Sequence, residues 1–179
     1  MTMGSIPRRY ARALFGLAVE KARVDAWSEA LQSLSALVAG DPDLRDLFEN
    51  PAHAASIRGE AIRKLSGAAR LEPELENFLL LLSDRRRLGA VGEIAAAYRE
   101  LADRELGRVR ARVTSAVPLD DAAAAAIAAR LSSAAAAKVI VERQVDPAIL
   151  GGVVAQVGSI VYDGSLRGQL ATLRQTLKH

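Results

Sequence analysis

The sequence predicts a mainly α protein, with an N-terminal six-helix bundle over residues 1–106 followed by a small α+β domain over residues 107–179. Three observations predict it. Up to about residue 105, apolar side chains recur at helical spacing between Pro, Gly and Asx stops. At Arg108 the period changes to two, with Arg108, Arg110 and Arg112 alternating with Val109, Ala111 and Val113. After Asp146-Pro147, glycines break up runs of β-branched residues, which is the pattern of bulged or closely approached strands.

The elements follow in order. Pro7 suits the first turn of helix 1, in which Ala11, Phe15, Ala18 and Ala22 form one stripe and Tyr10, Ala13, Leu14 and Leu17 a second. Helix 2 starts at Asp25, carries Trp27, Leu31, Leu34 and Val38, and stops at Gly40. Asp41-Pro42 restarts a short helix that ends before Asn50-Pro51. Ser56 caps a fourth with Gly67 beyond it, and Pro73 opens the fifth. Phe78 to Leu82 are all apolar, so helix 5 is either central in the bundle or shares a face with something else. Helix 6 begins at Leu88 and carries Val91, Ile94, Tyr98 and Leu101.

After the first strand, Asp120 or Asp121 caps a helix through about Ser133. Residues 122–137 include 11 alanines among 16 residues, which favours helix, although low-complexity disorder is a rival reading. Strand alternation returns from Lys138 to Val145, with Val139, Val141, Arg143 and Val145 on one side. It resumes at Val153, Ala155 and Val157, and Gly158 interrupts it. Ile160-Val161-Tyr162 runs into Asp163-Gly164, a turn signal, after which Ser165 caps a helix with Leu166, Leu170, Leu173 and Leu177 on one face.

Composition excludes much. With no cysteine there is no disulfide framework and no thiolate site, and two histidines, His53 and His179, cannot make a histidine-rich metal centre. No phosphate-binding loop of the G-x-x-x-x-G-K-[ST] form occurs, Ser165 has no histidine partner, and Asp120-Asp121 read as caps. No catalytic, cofactor or metal residues are therefore expected. The start, MTMGSIPRRYARALFGLAVE, lacks the apolar core of a secretory signal, and no run reaches the ~20 apolar residues of a membrane span. Residues 1–106 hold 15 basic and 16 acidic side chains, and residues 107–179 hold 9 and 5, so the positive charge gathers in the second part. That fits an acidic partner, a weak nucleic-acid surface, or a solvated face alone.

Gly151-Gly152-Val153-Val154 followed by Val161-Tyr162-Asp163-Gly164-Ser165-Leu166-Arg167-Gly168 resembles the C-terminal signature of the δ subunit of F-type ATP synthase, known in mitochondria as the oligomycin-sensitivity-conferring protein. Arg8 to Phe15 resembles the opening helix of that family, and Asn77 to Leu82 with Arg87-Leu88 resembles its fifth helix. The resemblance implies a non-enzymatic stator subunit, present as a single copy in a hetero-oligomer, that ties the catalytic head to the b-type peripheral stalk. It implies that residues 1–106 hold the N-terminal helix of an α subunit between helices 1 and 5, with Tyr10, Ala13, Leu14, Asn77, Leu80, Leu81 and Asp84 as contacts. Residues 107–179 would meet the stalk; Gly151, Gly152, Asp163 and Gly164 would shape the backbone there, and Arg167 matches the family's basic position beside Ser165. No cofactor and no nucleic acid are implied, the membrane is met only through the complex, and the place is the cytoplasmic side of a bacterial inner membrane.

Two departures stand out: Ala155-Gln156 where relatives carry a larger aliphatic and a basic residue, and Arg85-Arg86-Arg87 after helix 5. From the residues alone, helices 1 and 5 serve equally well as plain core. The pI of 9.6 and the arginine-faced strand keep a basic RNA-binding protein open, and a general helix-binding adaptor is a third reading.

Overall fold

Short polar stops cut the first half of the chain into helices. In the computed structural model, which describes residues 5–149, 151–158 and 160–166, these are α1 (Ser5–Glu20), α2 (Val24–Gly40), α3 (Pro42–Glu49), α4 (Ala55–Ala69), α5 (Pro73–Asp84) and α6 (Val91–Glu105). Asp41 shows the mechanism: its Oδ1 accepts the free N–H groups of Asp43 and Leu44 at 2.9 and 3.1 Å, with Pro42 at the first helical position.

Several expected ends are built differently. Ala22 lies outside α1, left-handed at φ 55°, so the buried stripe of α1 is Pro7, Ala11, Leu14 and Ala18. Ser56 does not cap α4, which starts one residue earlier after Ala54; there Arg58 Nη1 donates to the His53 carbonyl and ties down the incoming loop. Gly67 stays inside α4, and the left-handed closing residue is Arg70 at φ 50°, with Leu71 N–H reaching back to the Ser66 carbonyl. Leu88 belongs to a 3-10 turn, Leu88–Ala90, ahead of α6.

These helices share one apolar core. Trp27, Leu31, Ile62, Leu79, Leu82, Ile94 and Tyr98 are all at 2 % exposure or less. Phe15 meets Tyr98 edge to face, and the Tyr98 hydroxyl donates to the Val24 carbonyl at 3.2 Å. Burial raises the Tyr98 pKa well above that of a free phenol, so this hydroxyl stays a donor.

The chain divides into two compact units, Met1–Ala102 and Asp103–His179. The division falls inside α6, a few residues before 106; just beyond it Asp103 accepts from Arg110 of the following strand, from Nε at 2.5 Å and Nη2 at 3.0 Å.

The second unit contains β1 (Arg108–Ser115), α7 (Asp121–Ala135), β2 (Lys138–Val145), β3 (Gly152–Val157) and β4 (Ile160–Ser165), with sheet order β2-β1-β3-β4. β1 and β2 are parallel, Arg108 opposite Lys138, with α7 as the crossover; β3 runs antiparallel to both β1 and β4. Asp120 is the cap of α7, accepting from Ala123 N–H at 2.6 Å. The alanine-rich segment is thus helix, with Leu131 and the half-buried Ile127 packed on Ala111, Val113, Val139, Ala155 and Val157.

Asp163-Gly164 is not a turn. Both lie within β4, Gly164 opposite Val153, and the chain reverses between Val157 and Ile160, where Gly158 takes φ 60°. The helix expected beyond Ser165 falls, apart from Leu166, outside the described residues.

Candidate docking faces

α1 and α5 lie side by side and antiparallel. Tyr10 meets Phe78 with ring centroids 6.4 Å apart, whereas just past the end of α1 Lys21 Nζ reaches Glu74 Oε1 at 3.1 Å, one turn earlier on α5. Successive residues turn about 100° round a helix axis, so positions three and four apart share a face. Ile6, Tyr10, Ala13, Leu17 and Glu20 form such a row on the flank of α1 that carries Tyr10. Glu74, Asn77, Leu81 and Asp84 form the matching row on α5.

Between them the rows leave apolar surface in water: Ile6 is 39 % exposed, Leu81 44 %, Ala13 is exposed, and Tyr10 and Leu17 are half-buried. The all-apolar run of α5 therefore has two sides. Phe78, Leu79 and Leu82 enter the core, while Leu81 faces out.

Five of the seven groove candidates, Tyr10, Ala13, Asn77, Leu81 and Asp84, fall on this double row. Leu14 does not; at 3 % exposure it belongs to the core stripe of α1. Leu80 leans the other way, with its Cδ2 beside Gly59 of α4. Ile6 and Leu17 lie on the same α1 row, four residues from Tyr10 and Ala13 respectively.

At the far end Glu72 fastens three pieces, accepting from Trp27 Nε1 at 3.0 Å and pairing with Arg23 at 3.3 Å. A buried indole needs such an acceptor, so Trp27 was the signal for it. A second apolar hollow of about 490 Å³ lies between α2 and α4, lined by Leu34, Leu37, Leu65 and Leu71 among others.

In the second unit, Gly151, Gly152 and Gly164 make a backbone crossing. Gly152 has φ 79°, and a Cβ there would sit 2.3 Å from the Gly164 carbonyl oxygen and 3.0 Å from Ser165 Cα. Gly151 has φ 136°, and its carbonyl accepts from Leu166 N–H at 3.1 Å. Asp163 Oδ1 accepts from Ser165 N–H at 2.9 Å; the Ser165 side chain and N–H together hold this carboxyl below the usual carboxylate range. Ile160, Val161 and Tyr162 beside them are exposed, at 56, 58 and 39 %. Arg167 lies outside the described residues.

The arginine face of β1 is not a free cationic strip. Arg110 is held by Asp103 and by Glu142 at 3.4 Å; burial acts against its charge, but the two carboxylates prevail and raise its pKa. Among the described residues no group of three or more His, Cys, Asp or Glu side chains could hold a metal ion, and no helix is long and apolar enough to cross a membrane.

Residues 6–177 match the family described as ATP synthase delta (OSCP) subunit. The chain belongs to that family. ATP synthase subunit delta of Anaeromyxobacter sp. (strain Fw109-5) is 62 % identical over 178 residues, covering 99 % of each chain. Its counterpart in Myxococcus xanthus (strain DK1622) is 44 % identical over 176 residues, covering 97 % of each. A chain in the cryo-EM structure of the Toxoplasma gondii mitochondrial ATP synthase hexamer shares the fold, with a TM-score of 0.70 at 20 % identity over 98 % of this chain and 99 % of that one. The delta (OSCP) relatives are ATP synthase subunits of bacteria, and the delta fold is mainly helical with a small four-stranded sheet.

Proposed function

We propose that this delta-family chain is a non-catalytic stator subunit that ties the catalytic head of an F-type ATP synthase to its b-type peripheral stalk. It acts as a single copy in a hetero-oligomer on the cytoplasmic side of a bacterial inner membrane. Rotation loads the head with torque, and a head free to turn with the rotor cannot couple proton flow to synthesis. The work of such a subunit is to hold two partners at once, which needs surfaces and not reactive groups. The helical unit, a six-helix bundle in this reading, receives the N-terminal helix of an α subunit against α1 and α5. The second unit faces the stalk with the exposed Ile160, Val161 and Tyr162.

The observation that carries the head contact is the double row on α1 and α5. Its apolar members Ile6, Ala13 and Leu81 stay in water although the unit has a core of its own. An amphipathic helix binds such a surface through residues at i, i+3, i+4 and i+7. Calorimetric titration of the full chain with a peptide from the N-terminus of the cognate α subunit tests it. One-to-one binding that Leu81→Asp abolishes, with helicity unchanged, is the expected result. If the folded wild-type chain does not bind, α1 and α5 are core elements only and the head contact is elsewhere.

A further inference from the structure

We infer that the α1/α5 face is electrically polarised and sets the direction of the helix lying on it, with the occupant's acidic half at the end formed by Arg9 and Arg85–Arg87 and its basic half at the end where Glu20 stands beside the paired Glu74. The inference rests on the docking reading above and specifies its partner chemistry.

Because α1 and α5 are antiparallel, the start of α1 and the end of α5 share one end of the face. By that order Arg8, Arg9 and Arg12 of the first turns of α1 and Arg85, Arg86 and Arg87 after the end of α5 lie toward the same end of the face, with Asp84 the one carboxylate of the two rows there. All six arginines are exposed, and none makes an ion pair with the described residues. Arg9, one turn before Ala13, and the three that follow α5 stand nearest the rows. At the opposite end Lys21 is taken by Glu74 and Arg23 by Glu72, and Glu20 extends the α1 row into solvent with no ion pair among the described residues.

The helix dipoles do not decide the matter. The positive start of α1 and the negative end of α5 lie together, so their partial charges, about half a unit each, offset one another and the side chains set the sign. From Arg9 to Glu20 the row rises about 16 Å, at roughly 1.5 Å per residue. That is about twice the Debye length of ~8 Å at physiological salt, so each end acts on its own half of an occupant.

The test uses the full chain, isotopically labelled for NMR, and two synthetic amphipathic peptides of about 18 residues. Both carry the same apolar stripe. One has glutamates in its N-terminal half and lysines in its C-terminal half, and the other has them exchanged. A nitroxide on the glutamate half should broaden the amide signals of Ile6, Arg9 and Arg85 with both peptides. On the lysine half it should broaden those of Leu17, Glu20 and Glu74. The preference should be about tenfold in bound population, as two or three exposed ion pairs give. It should fall to near parity in 1 M salt or in the exposed variant Arg9→Gln/Arg85→Gln/Arg87→Gln.

Broadening on the α1/α5 rows with no preference, or with a direction that ignores the exchange of charges, overturns the polarity and leaves the docking reading standing. Broadening confined to other surfaces, or none at all, overturns the docking reading itself.

Discussion

Tyr10 and Phe78 meet edge to face at 68°, and this single aromatic contact joins the two helices whose outer rows form the candidate head surface. Phe78 is buried and Tyr10 half-buried, so the pair sits between core and face. A double-mutant cycle, Tyr10→Ala with Phe78→Leu, should show a coupling of roughly 0.5–1.5 kcal/mol in urea unfolding. Strict additivity would mean that the rings are neighbours without holding α1 to α5.

Leu79 and Leu81 are two positions apart and opposite in environment, at 2 % and 44 % exposure. Leu79→Ala should cost about 2–5 kcal/mol, the range for emptying a packed leucine site. Leu81→Ala should change stability by no more than ~0.5 kcal/mol while weakening the head peptide. Equal losses in chemical denaturation would put Leu81 in the core.

Gly152→Ala forces a methyl group onto the Gly164 carbonyl from a left-handed backbone. Strain and overpacking together should cost roughly 3 kcal/mol, read as a lowered thermal midpoint. A variant as stable as the parent would mean that β3 and β4 separate there without penalty.

Three carboxyls are held below their ordinary range: the exposed Asp46 by hydrogen bonds from His53 and Asn50, the half-buried Glu74 by its own backbone amide and Lys21, and the exposed Asp163 by Ser165. A depressed folded pKa means that the unfolded chain takes up protons first as pH falls. The stability they add is complete above the unfolded value of about 4 and is lost as pH drops through the folded values. Urea midpoints should therefore be level near neutrality and decline below about pH 4. Asp163→Asn, which keeps an acceptor for Ser165 N–H but cannot titrate, should flatten part of that decline. An unchanged acid limb would remove Asp163 from the account.

Element type was legible wherever apolar spacing had contrast, as in α2 with Trp27, Leu31, Leu34 and Val38, or in β1 with its alternating arginines. Contrast vanishes in Phe78–Leu82, and there nothing local separates Leu80, turned to α4, from Leu81, turned to water. Helix ends were harder, because Arg70 and Ala136 take the left-handed closing position that composition assigns to glycine. The Asp-Gly pair at 163–164 misled for the converse reason. Gly164 is small because Val153 O would lie 3.1 Å from a Cβ, which is a tertiary constraint that no turn rule contains. The arginines of β1 look alike in the sequence, yet Arg110 is committed to Asp103 and Glu142.

The alanines of α7 have one more consequence. Of its fifteen residues only Ala124 and Leu131 are fully buried, and a methyl group withdraws far less area from water than an isobutyl group. Peeling α7 from β1 and β2 exposes few methylenes, so sub-global opening of this unit is cheap beside opening of the helical unit. Amide protons of β1, although hydrogen-bonded on both sides, should exchange with deuterium well before those of α5. A slow-exchange core confined to residues 5–102 would be the visible mark of a helix built almost entirely of methyl groups.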